Sequence, residues 1–173
     1  PYIATGLKEN KFGVSTDEAF SLYQDAASLE SLEIKGIDYH IGSQITEMKP
    51  FIDALEKVLS LVDKLRAQAI TLQHIDLGGG LGVRYQDENP ISISDFAMAV
   101  RKLMKGRSQS LIFEPGRLIV ANAGVLLTKV NTLKETREKN FAIVDAAMND
   151  LIRPSLYSAW QEITPVTVNN KIN

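Results

Sequence analysis

The chain has 173 residues, 45% of them hydrophobic and 23% charged, an ordinary globular composition with enough length to bury one sizeable core. Lys and Arg total 19 against 21 Asp and Glu, so the formal charge is −2 and no basic block exists to follow a phosphate backbone; nucleic acid is not an expected partner. Without cysteine there are no disulfides or thiolate metal sites, two histidines are too few for most His-based metal clusters, and no apolar run approaches the roughly 20 residues of a membrane span, so neither a metal nor a membrane is expected.

Ser15-Thr16-Asp17-Glu18 places a carboxylate three residues after a hydroxyl cap, and Ala19, Leu22, Tyr23, Ala26 and Ala27 keep one face, which predicts an amphipathic helix. Ile34 to Ile41 alternate as a strand, with Ile37, Tyr39 and Ile41 on one side and Asp38 and His40 on the other. After Pro50, taken as the first helical residue, Phe51, Leu55, Val58, Val62 and Leu65 hold helical spacing for four turns. A strand from Gln73 to Leu77 runs into three glycines. Ser94 then opens a helix carrying Phe96, Val100, Leu103 and Met104, and a further strand, Ser110 to Glu114, ends at Pro115-Gly116.

This alternation argues for parallel strands joined by helical crossovers, in a β/α barrel or a doubly wound sheet; periodicity does not choose between them. After Ala123 the crossovers stop. Val125 to Leu133 and Phe141 to Val144 read as strands separated by the charged turn Lys134 to Asn140, so residues 124–173 are expected to begin a β-rich domain after an α/β domain of residues 1–123. Pro1 at the start and the polar run Val166 to Asn173 at the end both read as cuts through a longer protein, and Pro1 to Gly13 lacks the apolar centre of a signal peptide. A reducing cytoplasm fits a chain without cysteine.

In a parallel barrel, chemistry collects at the C-terminal ends of the strands, and four clusters lie at or beyond strand ends. His40-Ile41-Gly42-Ser43-Gln44 offers an imidazole, a glycine that admits close backbone approach and a hydroxyl for an anion; a lone strand-end histidine can equally be structural. Gly78-Gly79-Gly80, followed by Gly82, can expose consecutive N–H groups as a phosphate nest, or simply make a tight turn; a GxGxxG dinucleotide fingerprint fails at Val83. Glu114-Pro115-Gly116-Arg117 sets opposite charges at the end of an apolar strand, either for a ligand that uses both or as a surface ion pair. In the last, Asp145 to Tyr157, Arg153 can fork onto a carboxylate and Tyr157 can add a hydroxyl, with a solvent-facing Arg beside a packing Tyr as the alternative.

In order and approximate spacing, HIGSQ, DLGGGLGV, EPGR and MNDLIRPSLY resemble the fold-type III pyridoxal-phosphate decarboxylases, most closely the diaminopimelate decarboxylases; TGLKENKFG at the start resembles the same group entering a mid-barrel strand. One departure is Ala147, where that family usually has glycine. The resemblance implies an α/β fold: a partial parallel β/α barrel, TIM-type and alanine-racemase-like, followed by the start of a C-terminal β domain. It implies pyridoxal 5′-phosphate as cofactor, with His40 stacked on the ring, Ser43 and Gly78, Gly79 and Gly80 on the phosphate, and Glu114 on the ring nitrogen. Pro115, Gly116 and Arg117 would complete the cofactor site, and Arg117, Arg153 and Tyr157 would hold an amino-acid substrate. The implied reaction of the intact parent is removal of carbon dioxide from meso-diaminopimelate to give L-lysine, in a cytoplasmic homodimer. Related decarboxylases of ornithine, arginine or carboxynorspermidine, and a non-catalytic pyridoxal-phosphate-binding protein, are the alternatives. By the same resemblance the lysine that forms the Schiff base lies upstream of Pro1, and the Cys, Glu and Tyr that complete the site across a dimer lie beyond Asn173. The chain alone is therefore expected to be inactive. A complete barrel takes about 250 residues, so this piece is expected to supply roughly half the strands. His40, Ser43, Gly80, Glu114 and Arg117 are expected to converge at one end of neighbouring parallel strands.

Overall fold

The structure is a computed structural model that describes residues 12–167. Of the strand expected at TGLKENKFG, residues 5–11 lie outside the described residues, as do residues 168–173 of the polar C-terminal run. The chain divides into two compact units, Pro1–Val83 with Asn89–Asn122, and Arg84–Glu88 with Ala123–Asn173.

The first unit is built from α1 (Thr16–Ala27), β1 (Gly36–Asp38), α2 (Met48–Ala67), β2 (His74–Asp76), α3 (Ile93–Leu103), β3 (Ser110–Ile112) and α4 (Gly116–Val120). The three strands are parallel and adjacent in chain order, with Ile37, Ile75 and Leu111 at one level and Asp38, Asp76 and Ile112 at the next. Ile75 and Leu77 are buried in a single core with Phe51, Leu55, Leu59, Leu65, Phe96 and Val100 from α2 and α3, and Ile37, Tyr39, Leu111 and residues of α1 pack against it. The helices thus share the core of one sheet face, and the side chains of opposite parity, Asp38, His40, Asp76 and Glu114, belong to the other. Sequential strand order with helices on one face is the winding of a β/α barrel, not of a doubly wound sheet whose order reverses. The described strands are a sector of such a barrel.

Local chemistry sets the element ends. Ser15 caps α1 with both arms of a capping box: the Glu18 N–H donates to Ser15 Oγ at 3.3 Å and the Ser15 N–H to Glu18 Oε2 at 2.9 Å. Phe20, not Leu22, turns inward with Ala19 and Tyr23, and the Tyr23 hydroxyl donates to the Gly36 carbonyl at 2.8 Å. α2 starts at Met48 and not at Pro50, which sits at its third position; the N–H that proline lacks would have had no partner within the helix there. The cap of α3 is Ser92, not Ser94, with the Asp95 N–H donating to Ser92 Oγ at 3.0 Å. Arg107 forks onto Asp63 of α2 at 3.0 and 2.7 Å, tying the entry of β3 to that helix. This pair holds the Asp63 carboxyl below its usual range.

The α2 stripe is the mechanical centre of the core, and Leu55 in it is fully buried. A Leu55→Ala variant is expected to lose about 2–5 kcal/mol of unfolding free energy, because the surrounding side chains cannot collapse onto the void. Urea unfolding followed by circular dichroism measures it; a loss under about 1 kcal/mol would remove Leu55 from that role.

In the second unit β4 (Val130–Lys134) and β5 (Phe141–Val144) pair antiparallel, with a register irregularity between Val130 and Thr132. The strand expected from Val125 begins only at Val130; Lys129 just before it accepts the Asp145 N–H at 3.2 Å, whereas Val125 to Thr128 makes no backbone hydrogen bond to β5 among the described residues. α5 (Arg153–Tyr157) is a short helix that the sequence pattern did not announce, with Pro154 in its first turn, where a missing N–H is tolerated.

Candidate functional site

The C-terminal ends of β1, β2 and β3 continue past the regular ladder through three cross-strand bonds. Tyr39 N–H donates to the Asp76 carbonyl at 3.2 Å, Leu77 N–H to Ile112 at 3.0 Å, and Glu114 N–H to Gly78 at 2.8 Å. His40, Gly78 and Glu114 therefore stand side by side, one step of same-face residues beyond Asp38, Asp76 and Ile112. Carboxylate oxygens of Asp38, Asp76 and Glu114 lie within 4.8 Å of one another. Partial desolvation, and next the neighbouring Asp76, hold the Asp38 carboxyl above its usual range. Burial pushes the Tyr39 hydroxyl well above that of an ordinary phenol, with Asp76 adding to the shift. The three carboxylates form a focus of negative potential suited to a cation or a protonated ring nitrogen.

The glycine loop differs from an open nest of three amides. Gly78 N–H donates to Asp76 Oδ1 at 2.9 Å, and Gly79 N–H donates to His40 Nδ1 at 3.3 Å. The first is a local bond within the end of β2, and the second ties that end to the end of β1 and orients the imidazole through its Nδ1. Glycine is required here by neighbouring backbone: a Cβ at Gly79 would overlap the Glu114 carbonyl oxygen, and one at Gly80, whose φ is +102°, would overlap that of Gly42. Among the described residues the Gly80 N–H has no hydrogen-bond acceptor. Beside it, Ser43 Oγ accepts from Arg117 Nη2 at 2.8 Å and keeps its own hydrogen to donate. Arg117 lies on α4, which starts at Gly116 after Pro115, and a side chain at Gly116 would meet open space.

The structure thus brings His40, Ser43, Gly78, Gly79, Gly80, Glu114 and Arg117 to one end of three neighbouring strands. Arg153 and Tyr157 belong to the second unit, where the guanidinium lies 5.4 Å from the Tyr157 ring centroid and its buried Nε has no hydrogen-bond partner among the described residues. Before them, Asp150 Oδ2 accepts the Ala147 N–H at 2.9 Å, so Asn149-Asp150 closes its own turn. The sequence pattern gives Asp38 and Asp76 no role, although it sets Asp38 with His40 on the face opposite Ile37 and Tyr39. Gln44 was likewise unassigned, and its partner is 39 residues away.

A family model described as "Pyridoxal-dependent decarboxylase, pyridoxal binding domain" matches residues 1–121. The chain belongs to the pyridoxal-dependent decarboxylase family. It is 60% identical over 166 residues to a diaminopimelate decarboxylase of Pseudomonas aeruginosa, covering 96% of this chain and 40% of that one. A diaminopimelate decarboxylase of Vibrio cholerae is 58% identical over 167 residues, with the same coverage of 96% and 40%. Among solved structures, diaminopimelate decarboxylase from Helicobacter pylori complexed with L-lysine superposes with a TM-score of 0.93 at 44% identity, over 98% of this chain and 43% of that one. The chain spans about 40% of the length of these curated relatives.

The residues present fit the cofactor of this decarboxylase family. At one end of the strands, the Ser43 hydroxyl, the Gly80 N–H and the Arg117 guanidinium offer donors suited to a phosphate. The Glu114, Asp76 and Asp38 carboxylates suit a protonated pyridine nitrogen. The same oxygens could ligate a metal ion, though exposed acidic groups of this kind are common without one. Among the described residues no helix is long and apolar enough to cross a membrane.

Proposed function

We propose that this chain is the cofactor-binding part of a longer decarboxylase that converts meso-diaminopimelate to L-lysine and carbon dioxide. Residues 1–123 would form the barrel portion and residues 124–173 the start of a β domain, in an enzyme that works as a cytoplasmic homodimer. The observation that carries the reading is the meeting of His40, Gly80, Ser43 and Glu114 at the ends of adjacent parallel strands, in a chain 60% identical to a diaminopimelate decarboxylase.

Each residue has a task in this proposal. Ser43, Gly80 and Arg117 bind phosphate, while Gly78 and Gly79 keep the strand ends close enough for His40 to lie flat against the ring. Glu114 holds a proton at the ring nitrogen, assisted by the field of Asp38 and Asp76. Bound there, pyridoxal phosphate would supply a conjugated ring able to take up the electron pair left as carbon dioxide departs. Arg153, restrained by its stacking on Tyr157, offers its terminal nitrogens to a substrate carboxylate.

The test has two arms. This chain, titrated with pyridoxal phosphate, is expected to show saturable binding by absorbance, and the full-length protein is expected to release carbon dioxide from meso-diaminopimelate in preference to ornithine or arginine. Release from ornithine at an equal or greater kcat/KM would replace the proposed substrate. Absence of cofactor binding in both proteins would remove the proposal altogether.

A further inference from the structure

Gln44 stitches together the two loops that would face the phosphate. Its side-chain Nε2 donates to the Val83 carbonyl at 2.7 Å, and its Oε1 accepts the Val83 N–H at 3.1 Å. Between these contacts Ile45 N–H donates to the Gly80 carbonyl at 2.9 Å, and Gly82 N–H donates to the Ile45 carbonyl at 2.9 Å. The loop after β1 and the loop after β2 thus form a short parallel bridge closed at its outer end by one amide side chain. Gln44 holds a left-handed backbone, φ 58°, a conformation uncommon for a residue other than glycine. Val83 is buried, and Gln44 and the backbone groups it contacts are at least partly so, which strengthens both bonds relative to exposed ones.

The consequence lies one residue back and three residues back from the lock. Ser43 precedes Gln44, and Gly80 lies three residues before Val83, so the lock fixes the separation of the Ser43 hydroxyl and the Gly80 N–H. Two donors held at a set spacing favour an anion that fits between them; loosened donors lose that preference. We infer that Gln44 is a positioning residue that makes this site selective for the phosphorylated form of its cofactor, without itself touching the phosphate. This rests on the cofactor reading proposed above.

The experiment titrates pyridoxal phosphate and phosphate-free pyridoxal into this chain as wild type, Gln44→Met and Gln44→Leu, with circular dichroism and the thermal midpoint checking the fold. Met keeps the length and Leu is shorter; both lose the two bonds and neither adds a charge beside the phosphate donors. The expected result is a drop of roughly 10-fold or more in affinity for pyridoxal phosphate in both variants, with pyridoxal binding changed less than about 2-fold. Equal loss for both ligands would make Gln44 merely structural and overturn the inference, as would unchanged phosphate preference in either folded variant. Should the Met variant fail to fold, the Leu variant decides by the same criterion; failure of both to fold would overturn it too. A wild-type chain that binds neither ligand would instead overturn the cofactor reading itself, and one that binds both equally would overturn the selectivity alone.

Discussion

A Gly80→Ala variant is expected to bind pyridoxal phosphate on the order of 100-fold more weakly than wild type. Two penalties coincide at this position. The backbone sits at φ +102°, a region that side chains rarely adopt, and the added methyl would overlap the Gly42 carbonyl oxygen. Strain at such a φ costs about 1–3 kcal/mol, and an overlap with backbone cannot be relieved by a rotamer change. The loop must move, and with it the Gly80 N–H proposed to face the phosphate. Gly106 provides the control: its φ is +79°, and a Cβ there meets nothing within 4 Å. Gly106→Ala therefore carries a backbone penalty without the collision, in the connection between α3 and β3, at the opposite end of the strands from the site. It should lower the thermal midpoint and leave cofactor affinity unchanged. Wild-type affinity in folded Gly80→Ala would show that Gly80 does not shape the site.

In the full-length protein, assayed for the proposed decarboxylation, Glu114→Gln is expected to lower kcat on the order of 100-fold while changing KM little, the scale seen when one preorganised electrostatic group is removed from a reacting centre. Gln has nearly the same volume and can still meet the ring nitrogen, so cofactor absorbance should persist; what disappears is the negative charge proposed to keep that nitrogen protonated. The Glu114 N–H is bonded to the Gly78 carbonyl at 2.8 Å, so the backbone that aims the side chain is unaffected by the change. Asp38 and Asp76 remain nearby and preserve part of the field, which limits the loss. Steady-state kinetics on cofactor-saturated enzyme measure the effect, and a full-rate Gln variant would contradict the role given to Glu114.

Much of the candidate site was legible because its parts lie at strand ends. An apolar strand followed by His40, by Gly78 or by Glu114 puts a chemically distinct residue where parallel barrels collect their chemistry, and the order of the four clusters carried the family. The hydrogen-bond assignments were not legible in the same way. Three glycines in a row fit an open nest as well as a tight turn, and only their neighbours show that Asp76 and His40 take up two of the three amides. Helix starts were misplaced by two residues at Pro50 and Ser94 for a related reason: proline is tolerated throughout the first turn, and Ser92 and Ser94 both have a cap's chemistry.

The sequence by itself determined the apolar faces of α2 and of the strand around β1, because periods of 3.6 and of two residues are written locally in the stripes Phe51-Leu55-Val58-Val62-Leu65 and Ile37-Tyr39-Ile41. It likewise determined the capping box at Ser15 and Glu18, whose two partners are three residues apart. Tertiary structure decided the rest. The register that sets Asp38 beside Asp76, the bond from Arg117 to Ser43 across 74 residues and the lock of Gln44 on Val83 all join residues distant in the chain. No local periodicity encodes such pairings. They follow from which strand lies next to which, and that is settled only when the helices bury their stripes in one core on one face of the sheet and leave the carboxylates on the other.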